Sequence, residues 1–382
     1  MFRCNVAALA VFVLAGQVYA AVEPEKSVES GRPKIEVVFV LDTTGSMGGL
    51  IEGAKQKIWA IANAMATAKP TPDIRMGLVG YRDRGDDYVV TRADLTDDLD
   101  AVYARLMAFQ ANGGGDGPES VNQALHEAVT AIKWSGEKNV YRVIFLVGDF
   151  PPHMDYQNDV KYPETCKRAI TRGIVINTIQ CGNHPPTEPI WQEIARKAEG
   201  RYFRVEQTGG AVVIPTPFDA ELAELSQELD ATRVFYGSAE VLETQLRRAE
   251  TADKIVAEAS MPAQAERAVF NSSAAGSANF LGLQELISDV MEGRVKLADI
   301  KDEELPESMR TMSPAEQARF VDERATKRAQ LQERIGELSL QRNAHVQQQI
   351  SEQDAGDRTG FDAAMVECIR EQAGKQGMIL TD

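Results

Sequence analysis

Cysteine and histidine are scarce in this chain, with four of each among 382 residues. Cys4 lies in the first twenty residues, which leaves Cys166, Cys181 and Cys368. Three thiols are too few for the disulfide framework of a small secreted domain. One bridge with one free thiol remains open, and the spacing does not select a pair.

Basic residues are outnumbered by acidic ones, 41 to 57, so the formal net charge is −16. A surface of this sign repels phosphate backbones, and we expect no nucleic-acid partner. The motifs of a P-loop, a Gly-x-Ser-x-Gly elbow and a His-Glu-x-x-His zinc site are missing too. We therefore expect a protein that is not an enzyme.

Long apolar runs are also missing. The stretch from Val6 to Gly16 is short for a membrane span. Arg3 precedes it and Val18-Tyr19-Ala20 follows it, a pattern typical of a secretory signal over residues 1–20. A short membrane anchor is the alternative. We expect an exported chain, periplasmic or secreted, with no transmembrane segment once the signal is removed.

The pattern from residue 34 to 235 alternates between strand and helix. Ile35–Leu41, Ile74–Tyr81 and Val143–Val147 are buried-strand patterns, and Tyr88–Thr91 is a short one. Further strands are predicted at Ile174–Ile179 and Tyr202–Val205, and helical stripes separate the strands. This order predicts an α/β fold with a doubly wound, mostly parallel sheet, preceded by a polar linker over residues 21–33.

Residues 236–382 are predicted to form a mainly helical domain. Ser313, Pro314 and Glu316 make a capping box that opens a helix reaching about Gln353. Asn271 to Asn279 is small and polar and predicts a loop. Helical stripes begin before residue 236 with Ala220, Leu222, Leu225 and Leu229, and continue beyond it with Leu242, Leu246 and Ala249.

Two aspartates stand at the ends of buried strands. Asp42 follows the first strand and Asp149 follows the fourth, and these strands flank the switch point of the commonest doubly wound order. Both carboxylates should therefore face one crevice, although a single aspartate there would more often cap a helix. Thr44 and Ser46 add hydroxyls just after Asp42. Such oxygen ligands suit Mg²⁺, with Mn²⁺ or Ca²⁺ as alternatives.

A glycine-rich loop, residues 113–120, precedes a predicted helix and reads Gly-Gly-Gly-Asp-Gly-Pro-Glu-Ser. Its glycines allow the backbone to approach a bound group closely. Asp116 in this loop could supply a further oxygen ligand.

These motifs resemble the metal-ion-dependent adhesion site (MIDAS) of the von Willebrand factor A (VWFA) domain family. That family has Asp-x-Ser/Thr-x-Ser after its first strand, as Asp42, Thr44 and Ser46 have here, and an aspartate after its fourth strand, as Asp149. The second element is a threonine, where this loop offers Asp116. The resemblance implies that Thr44 and Ser46 bind the ion directly, and that Asp42 and Asp149 bind it directly or through water.

The resemblance also implies a function: protein–protein recognition of the adhesion type, in which a partner completes the coordination of Mg²⁺, often with an acidic side chain. Three carboxylates around the ion would weaken its pull on such a carboxylate. Two alternatives remain open. One is a metal-assisted phosphohydrolase; the other is a scaffold whose helical half binds the partner while the metal is structural.

A recognition rim is predicted beside the site, with Asp83 and Asp86 in a charged loop and His153 and His184 after later strands. His153, Cys181 and His184 could instead converge on a softer ion such as zinc. Two loop histidines and a buried cysteine with no common ligand are the more ordinary interpretation.

Overall fold

The computed structural model describes residues 31–115, 117–352 and 360–381. The predicted signal at residues 1–20, most of the predicted linker and Asp116 lie outside the described residues. Among the described helices, none has both the length and the apolar character that a bilayer-spanning segment needs.

The main sheet follows the predicted order closely. Its strands are β1 Lys34–Asp42, β3 Asp73–Tyr81, β4 Val90–Thr96, β5 Val140–Gly148, β6 Ile174–Cys181 and β7 Tyr202–Val205. Their spatial order is β4-β3-β1-β5-β6-β7, and every pairing is parallel except that of β3 with β4. The switch point therefore lies between β1 and β5, as predicted.

The central strands are buried on both faces. All nine residues of β5 are buried and β1 exposes only part of Lys34, which explains why both read as continuous apolar runs. The edge strand β4 is mostly half-exposed and begins at Val90, so the strand predicted from Tyr88 to Thr91 is displaced.

Helices cover both faces of the sheet and continue beyond it. Five of the described helices lie in the connections between strands of the main sheet: α1 Gly48–Ala66, α2 Leu99–Met107, α3 Val121–Thr130, α4 Tyr162–Thr171 and α5 Thr187–Lys197. The later helices are α6 Asp219–Asp230, α7 Ala239–Glu258, α8 Met261–Ser272, α9 Ser277–Leu281, α10 Leu286–Met291, α11 Pro314–Glu352 and α12 Phe361–Gly374.

Two apolar cores sandwich the sheet. On one face Val38, Val40 and Ile144 pack with residues of α3, α4 and α5. On the other face α1 packs together with α2, α8 and α12. Trp59 of α1 lies between the rings of Tyr103 and Phe270, with ring centroids 5.8 Å apart in each case. The helical region thus contributes directly to the core under this face.

The last helix returns to the sheet. Gln372 of α12 accepts a hydrogen bond from Tyr141 at 2.7 Å and exchanges two with Asn177, at 3.0 and 2.8 Å, all in a buried environment. A short strand, β8 Ile379–Leu380, pairs antiparallel with β2 Ala68–Lys69 after α1. The domain boundary at residue 235 remains a prediction, since Arg32 onward clusters as one compact unit.

Several local predictions in the helical half differ from the structure. Leu246 is 59 % exposed, whereas Gln245, Ala252 and Ile255 form the buried face of α7, so the stripe predicted through Leu246 was wrong. The loop predicted from Asn271 to Asn279 is mostly helical, because α8 and α9 enclose it from both sides. The helix predicted from Ser313 to about Gln353 is confirmed as α11, and Leu331, Ile335 and Leu338 lie on its buried face.

The thiols of the described residues form no disulfide. Cys166, Cys181 and Cys368 are each buried and free.

Candidate metal centre at the switch point of the sheet

The two strand-end aspartates meet at the switch point. Asp42 is the last residue of β1 and is fully buried, and Asp149 follows β5 with 3 % exposure. Gly148 allows this approach, because a Cβ there would lie 2.4 Å from the Tyr81 hydroxyl and 3.0 Å from Asp42 Cβ. The sequence-based expectation that both carboxylates share one crevice is met by this geometry.

The loop after β1 folds back onto its aspartate. Thr44 donates from its backbone N–H and from Oγ1 to Asp42 Oδ1, at 2.8 and 2.7 Å. Thr44 Oγ1 also lies 3.4 Å from Ser46 Oγ, which is at the exposed mouth of the crevice. The other oxygen, Asp42 Oδ2, is buried and has no hydrogen-bond partner among the described residues.

Asp149 is held from the opposite side by Gln207, a residue that sequence reasoning missed. Gln207 Nε2 donates to Asp149 Oδ2 at 2.8 Å and lies 3.5 Å from the carbonyl of Ser46. Asp149 Oδ1 is buried and has no partner within the described chain. Gln207 follows β7, so only the order of the strands brings it to the site.

A third carboxylate, Glu119, lies in the same crevice. Its backbone pairs with the segment after β5, through Glu119 N–H to Pro151 O at 2.9 Å and His153 N–H to Glu119 O at 3.0 Å. Its side chain is 2 % exposed, and its Oε2 has no partner among the described residues. The backbone pairing ties Glu119 to the segment directly after Asp149.

Gly114 shows how close Glu119 comes to the loop after β1. This glycine has φ +79°, and a Cβ on it would lie 3.0 Å from Thr44 Cβ and 3.1 Å from Glu119 Oε1. Sequence reasoning selected Asp116 from this loop, and Asp116 lies outside the described residues. The sequence did contain a signal for Glu119, because this carboxylate stands just before the N-terminus of the predicted helix α3.

Burial and mutual repulsion perturb these acids strongly. Burial, followed by the charge of Asp149, raises the pKa of Asp42 from 3.8 to about 7. Burial, followed by the charges of Asp42, Asp83 and Asp149, raises the pKa of Glu119 from 4.5 to about 9. Both shifts reflect burial of these acids beside one another, so the crevice concentrates negative charge.

The predicted rim residues Asp83 and Asp86 are in the loop after β3 and are engaged internally. Asp83 accepts hydrogen bonds from Ser120 at 2.9 Å and Tyr156 at 2.8 Å. Asp86 Oδ2 accepts from the backbone N–H groups of Gly114 and Asp83, at 3.0 and 3.1 Å. These contacts brace the glycine-rich loop against the loop after β3.

The two predicted rim histidines contact different residues. His153 Nδ1 is 2.8 Å from Asp155 Oδ1, and its ring stacks on Tyr156. His184 Nδ1 is 2.7 Å from the hydroxyl of Thr187, which donates to the carbonyl of Asp149. No group of three or more His, Cys, Asp or Glu side chains placed to hold a metal ion is found within the described residues.

The crevice contains hard oxygen ligands, and several of its carboxylate oxygens have no hydrogen-bond partner among the described residues. Three buried carboxylate oxygens, on Asp42, Glu119 and Asp149, have no partner among the described residues. Thr44 and Ser46 place hydroxyl oxygens beside them. Buried charges without partners are costly, and a small divalent cation is the group that such oxygens accommodate. The residues present therefore fit a site of the carboxylate–hydroxyl type.

The sheet order and this crevice define an α/β domain with an oxygen-rich site at its switch point. Comparison with family models names the domain: residues 36–216 match the von Willebrand factor A domain. Over these residues the chain is similar to that family. Its members generally mediate protein–protein interactions, often with a metal ion.

Curated relatives match part of the chain. Von Willebrand factor A domain-containing protein 7 of Rattus norvegicus is 37 % identical over 97 residues, which is 25 % of this chain and 10 % of that protein. Alpha-protein kinase vwkA of Dictyostelium discoideum is 28 % identical over 126 residues, 31 % of this chain and 19 % of the kinase. The chain thus spans a fifth or less of the length of these relatives.

Among solved structures, the SpRpn10 VWA domain is similar with a TM-score of 0.35 and 16 % identity. The match covers 46 % of this chain and 89 % of that domain.

Proposed function

We propose that the domain recognises a protein partner through a divalent cation, Mg²⁺ by preference, at the crevice between β1 and β5. Thr44 and Ser46 would hold the ion with their hydroxyls, and Asp42, Glu119 and Asp149 with carboxylate oxygens or through water. The observation that carries the proposal is the set of three buried carboxylate oxygens without partners in the described chain. Asp116 remains a predicted further ligand.

The cation would supply a positive centre at the mouth of the crevice, where Ser46 is exposed. A partner oxygen could reach that centre, whereas Asp42 is fully buried. The phosphohydrolase alternative remains open, because buried aspartates could hold the metal for it without touching the substrate. We retain protein recognition of the adhesion type as the function that the geometry supports best.

We further propose that this recognition takes place in the cell envelope or outside the cell. The support is the pattern of residues 1–20, with Arg3, an apolar stretch and Val18-Tyr19-Ala20. N-terminal sequencing of the protein isolated from its native host tests this part. A mature chain that begins at Ala21 is expected, and retention of Met1 would reject it.

Thermal unfolding with Mg²⁺ and with EDTA tests the ion site. An ion that binds only the folded state stabilises it by about 2.7 kcal/mol at a hundred times its Kd. The wild type and the exposed control Asp253→Asn should both gain in melting temperature with Mg²⁺, and Asp149→Asn should not. An unchanged wild type in Mg²⁺, Mn²⁺ and Ca²⁺ would reject the site.

The same variants separate recognition from a structural role. If the metal serves only to stabilise a scaffold, Asp149→Asn should lower stability and leave partner capture by the folded protein intact. For a recognition site, Asp149→Asn should remain folded while capture of envelope proteins falls to the level seen in EDTA.

A further inference from the structure

One asparagine in the loop beside the ion crevice is followed by glycine. Asn112 and Gly113 form the single Asn-Gly pair in the sequence, and both residues are exposed. The glycine matters chemically, because it has no side chain to shield its backbone nitrogen from the amide carbon of the asparagine. An asparagine in this setting can lose its side-chain nitrogen without an enzyme.

The local geometry brings the two reacting groups together. The N–H of Gly113 donates to Asn112 Oδ1 at 2.9 Å. This hydrogen bond folds the Asn112 side chain over its own C-terminal peptide bond, so the Gly113 nitrogen lies next to the amide carbon Cγ. Gly113 has φ +77°, and a Cβ on it would collide with the carboxylate of Asp86, so this position requires glycine.

The reaction consumes only water. The Gly113 nitrogen gives up its proton and bonds to Asn112 Cγ, while the side-chain amide nitrogen takes up a proton and leaves as ammonia. Water then opens the resulting succinimide ring at either of its two carbonyl carbons. Opening at Cγ gives an aspartyl residue, and opening at the main-chain carbonyl gives isoaspartate, whose main chain is longer by one methylene group. Both products carry a carboxylate in place of the neutral amide.

The same two residues hold the loop that carries the ion-site hydroxyls. The N–H of Asn112 donates to the carbonyl of Thr43 at 3.1 Å, and the carbonyl of Gly113 accepts from the N–H of Gly45 at 3.1 Å. These two hydrogen bonds lie on either side of the peptide bond that the reaction rebuilds, and they bracket Thr44. A main chain lengthened by one methylene group between them cannot keep both at their present geometry.

We infer that Asn112 is a site of spontaneous deamidation in the folded protein, and that its isoaspartyl product weakens ion binding by releasing the loop of residues 43–45. The first half stands on the structure alone, and the second half rests on the proposed function. Because ammonia is lost, the change runs in one direction, and the modified fraction grows with the age of the protein.

Peptide mapping by mass spectrometry tests the first half on the folded protein, aged in mildly alkaline buffer. Electron-transfer fragmentation distinguishes isoaspartate from aspartate. Asn112 should be converted to both products while Asn139 keeps its amide. Asn139 is the internal control, because it is exposed but the β-branched side chain of Val140 shields the following nitrogen. Asn112→Gln, which would have to form a larger ring, should stay unmodified at this position.

The same chain unfolded in urea shows what the fold contributes. Deamidation of Asn112 ahead of Asn139 in the folded protein supports the inference. An Asn112 that reacts only in urea, or no faster than Asn139 in the folded protein, overturns it, because the loop would then protect the amide.

Mn²⁺ titration followed by electron paramagnetic resonance tests the second half. Anion-exchange chromatography separates the modified fractions of the aged protein, since each has gained negative charge. The isoaspartyl fraction should bind Mn²⁺ at least about tenfold more weakly than fresh protein, the scale on which loss of a contact behind a metal ligand acts. Asn112→Asp is the matched control: it adds the same charge without lengthening the main chain, and should bind Mn²⁺ no more weakly than the wild type.

Equal Mn²⁺ affinity of the isoaspartyl fraction and fresh protein would overturn the second half. An equally large loss in Asn112→Asp would overturn it too, because charge and not main-chain length would then be the cause. Thermal unfolding in EDTA should give the isoaspartyl fraction the midpoint of fresh protein, and a lower midpoint would count against release of the loop. Absence of Mn²⁺ binding in fresh wild type would reject the proposed function and with it the second half, whereas the mass-spectrometric result on Asn112 would stand.

Discussion

Arg267 of α8 holds both carboxylate oxygens of Asp100 in α2, through Nε and Nη2 at 2.6 Å each. The same guanidinium binds Asp230 of α6 at 2.7 Å and Ser226 at 3.0 Å. Arg267 is 1 % exposed and Asp100 3 %. One buried cation therefore joins helix α8 to helices α2 and α6.

Removal of this cation should be severely destabilising. Arg267→Met leaves the carboxylate of Asp100 buried without its partner and Asp230 with Arg233 alone, which costs about 3–5 kcal/mol of unfolding free energy. Urea unfolding of wild type and variant measures the loss. Arg247→Met is the matched control, because its pair with Glu243 is exposed and should be worth at most about 1 kcal/mol. Equal losses in the two variants would contradict the role given to Arg267.

Loss of Gln207 should weaken ion binding more than it lowers the stability of the fold. Its amide orients Asp149 across 2.8 Å, and loss of a residue that orients a ligand typically lowers metal affinity about tenfold or more. We expect Gln207→Ala to bind Mn²⁺ about tenfold more weakly while unfolding free energy falls by about 1 kcal/mol or less. Gln192→Ala, whose amide binds only Glu188 on the surface, is the control. Unchanged Mn²⁺ affinity in Gln207→Ala would contradict this assignment.

The ion-free protein should lose stability as pH rises. The pKa of Glu119 is raised from 4.5 to about 9, so the folded state keeps a proton that the unfolded state has released. Unfolding then releases a proton between these values, and stability falls with increasing pH across that interval. Asp42 acts in the same direction from 3.8 to about 7.

Melting curves in EDTA at several pH values measure this dependence. The difference between wild type and Glu119→Gln isolates one carboxyl, because all other titrating groups are shared. The wild type should lose stability relative to the variant as pH rises above about 5. A gap that is constant with pH would show that Glu119 titrates normally. Saturating Mg²⁺ should reduce the slope, since the ion compensates the released charge.

Gln372 should control the docking of α12. Gln372→Ala leaves the hydroxyl of Tyr141 and the amide of Asn177 buried without their partner, at a cost of about 1–3 kcal/mol. The substitution should increase the rate of amide hydrogen exchange more in α12 than in β5. Gln376→Ala, an exposed position on the following turn, should leave exchange unchanged. Exchange in α12 as slow as in the wild type would contradict the docking role.

Much of the α/β domain could be predicted because its signals are local. Continuous apolar runs identify β1 and β5, since both strands are buried on two faces. Parallel strands bring their carboxyl ends to one edge, so the meeting of Asp42 and Asp149 followed from strand order alone. The capping box at Ser313 is confirmed, with Ser313 Oγ and N–H donating to Glu316 Oε2 at 2.6 and 2.8 Å.

The other site residues and the buried face of α7 depend on tertiary contacts that the spacing of residues along the chain does not predict. Glu119 enters the site through pairing with Pro151, and Gln207 enters it across three strands of the sheet. Leu246 was assigned to the buried face of α7, but the partner surface selects Gln245 and Ile255 instead. The spacing of apolar residues predicts that one face of a helix is buried, but the packing of neighbouring elements decides which face that is.

The pairing of β8 with β2 has a consequence for how the chain folds. Ala68 and Leu380 are register partners, although 311 other positions separate them along the chain. Contacts of such sequence separation form late, after the entropy of closing a long loop has been overcome. During synthesis, the face of the sheet that α12 covers stays exposed until α12 has left the ribosome. A chaperone that shields this apolar face should therefore be needed until α12 emerges, rather than only until β7 emerges.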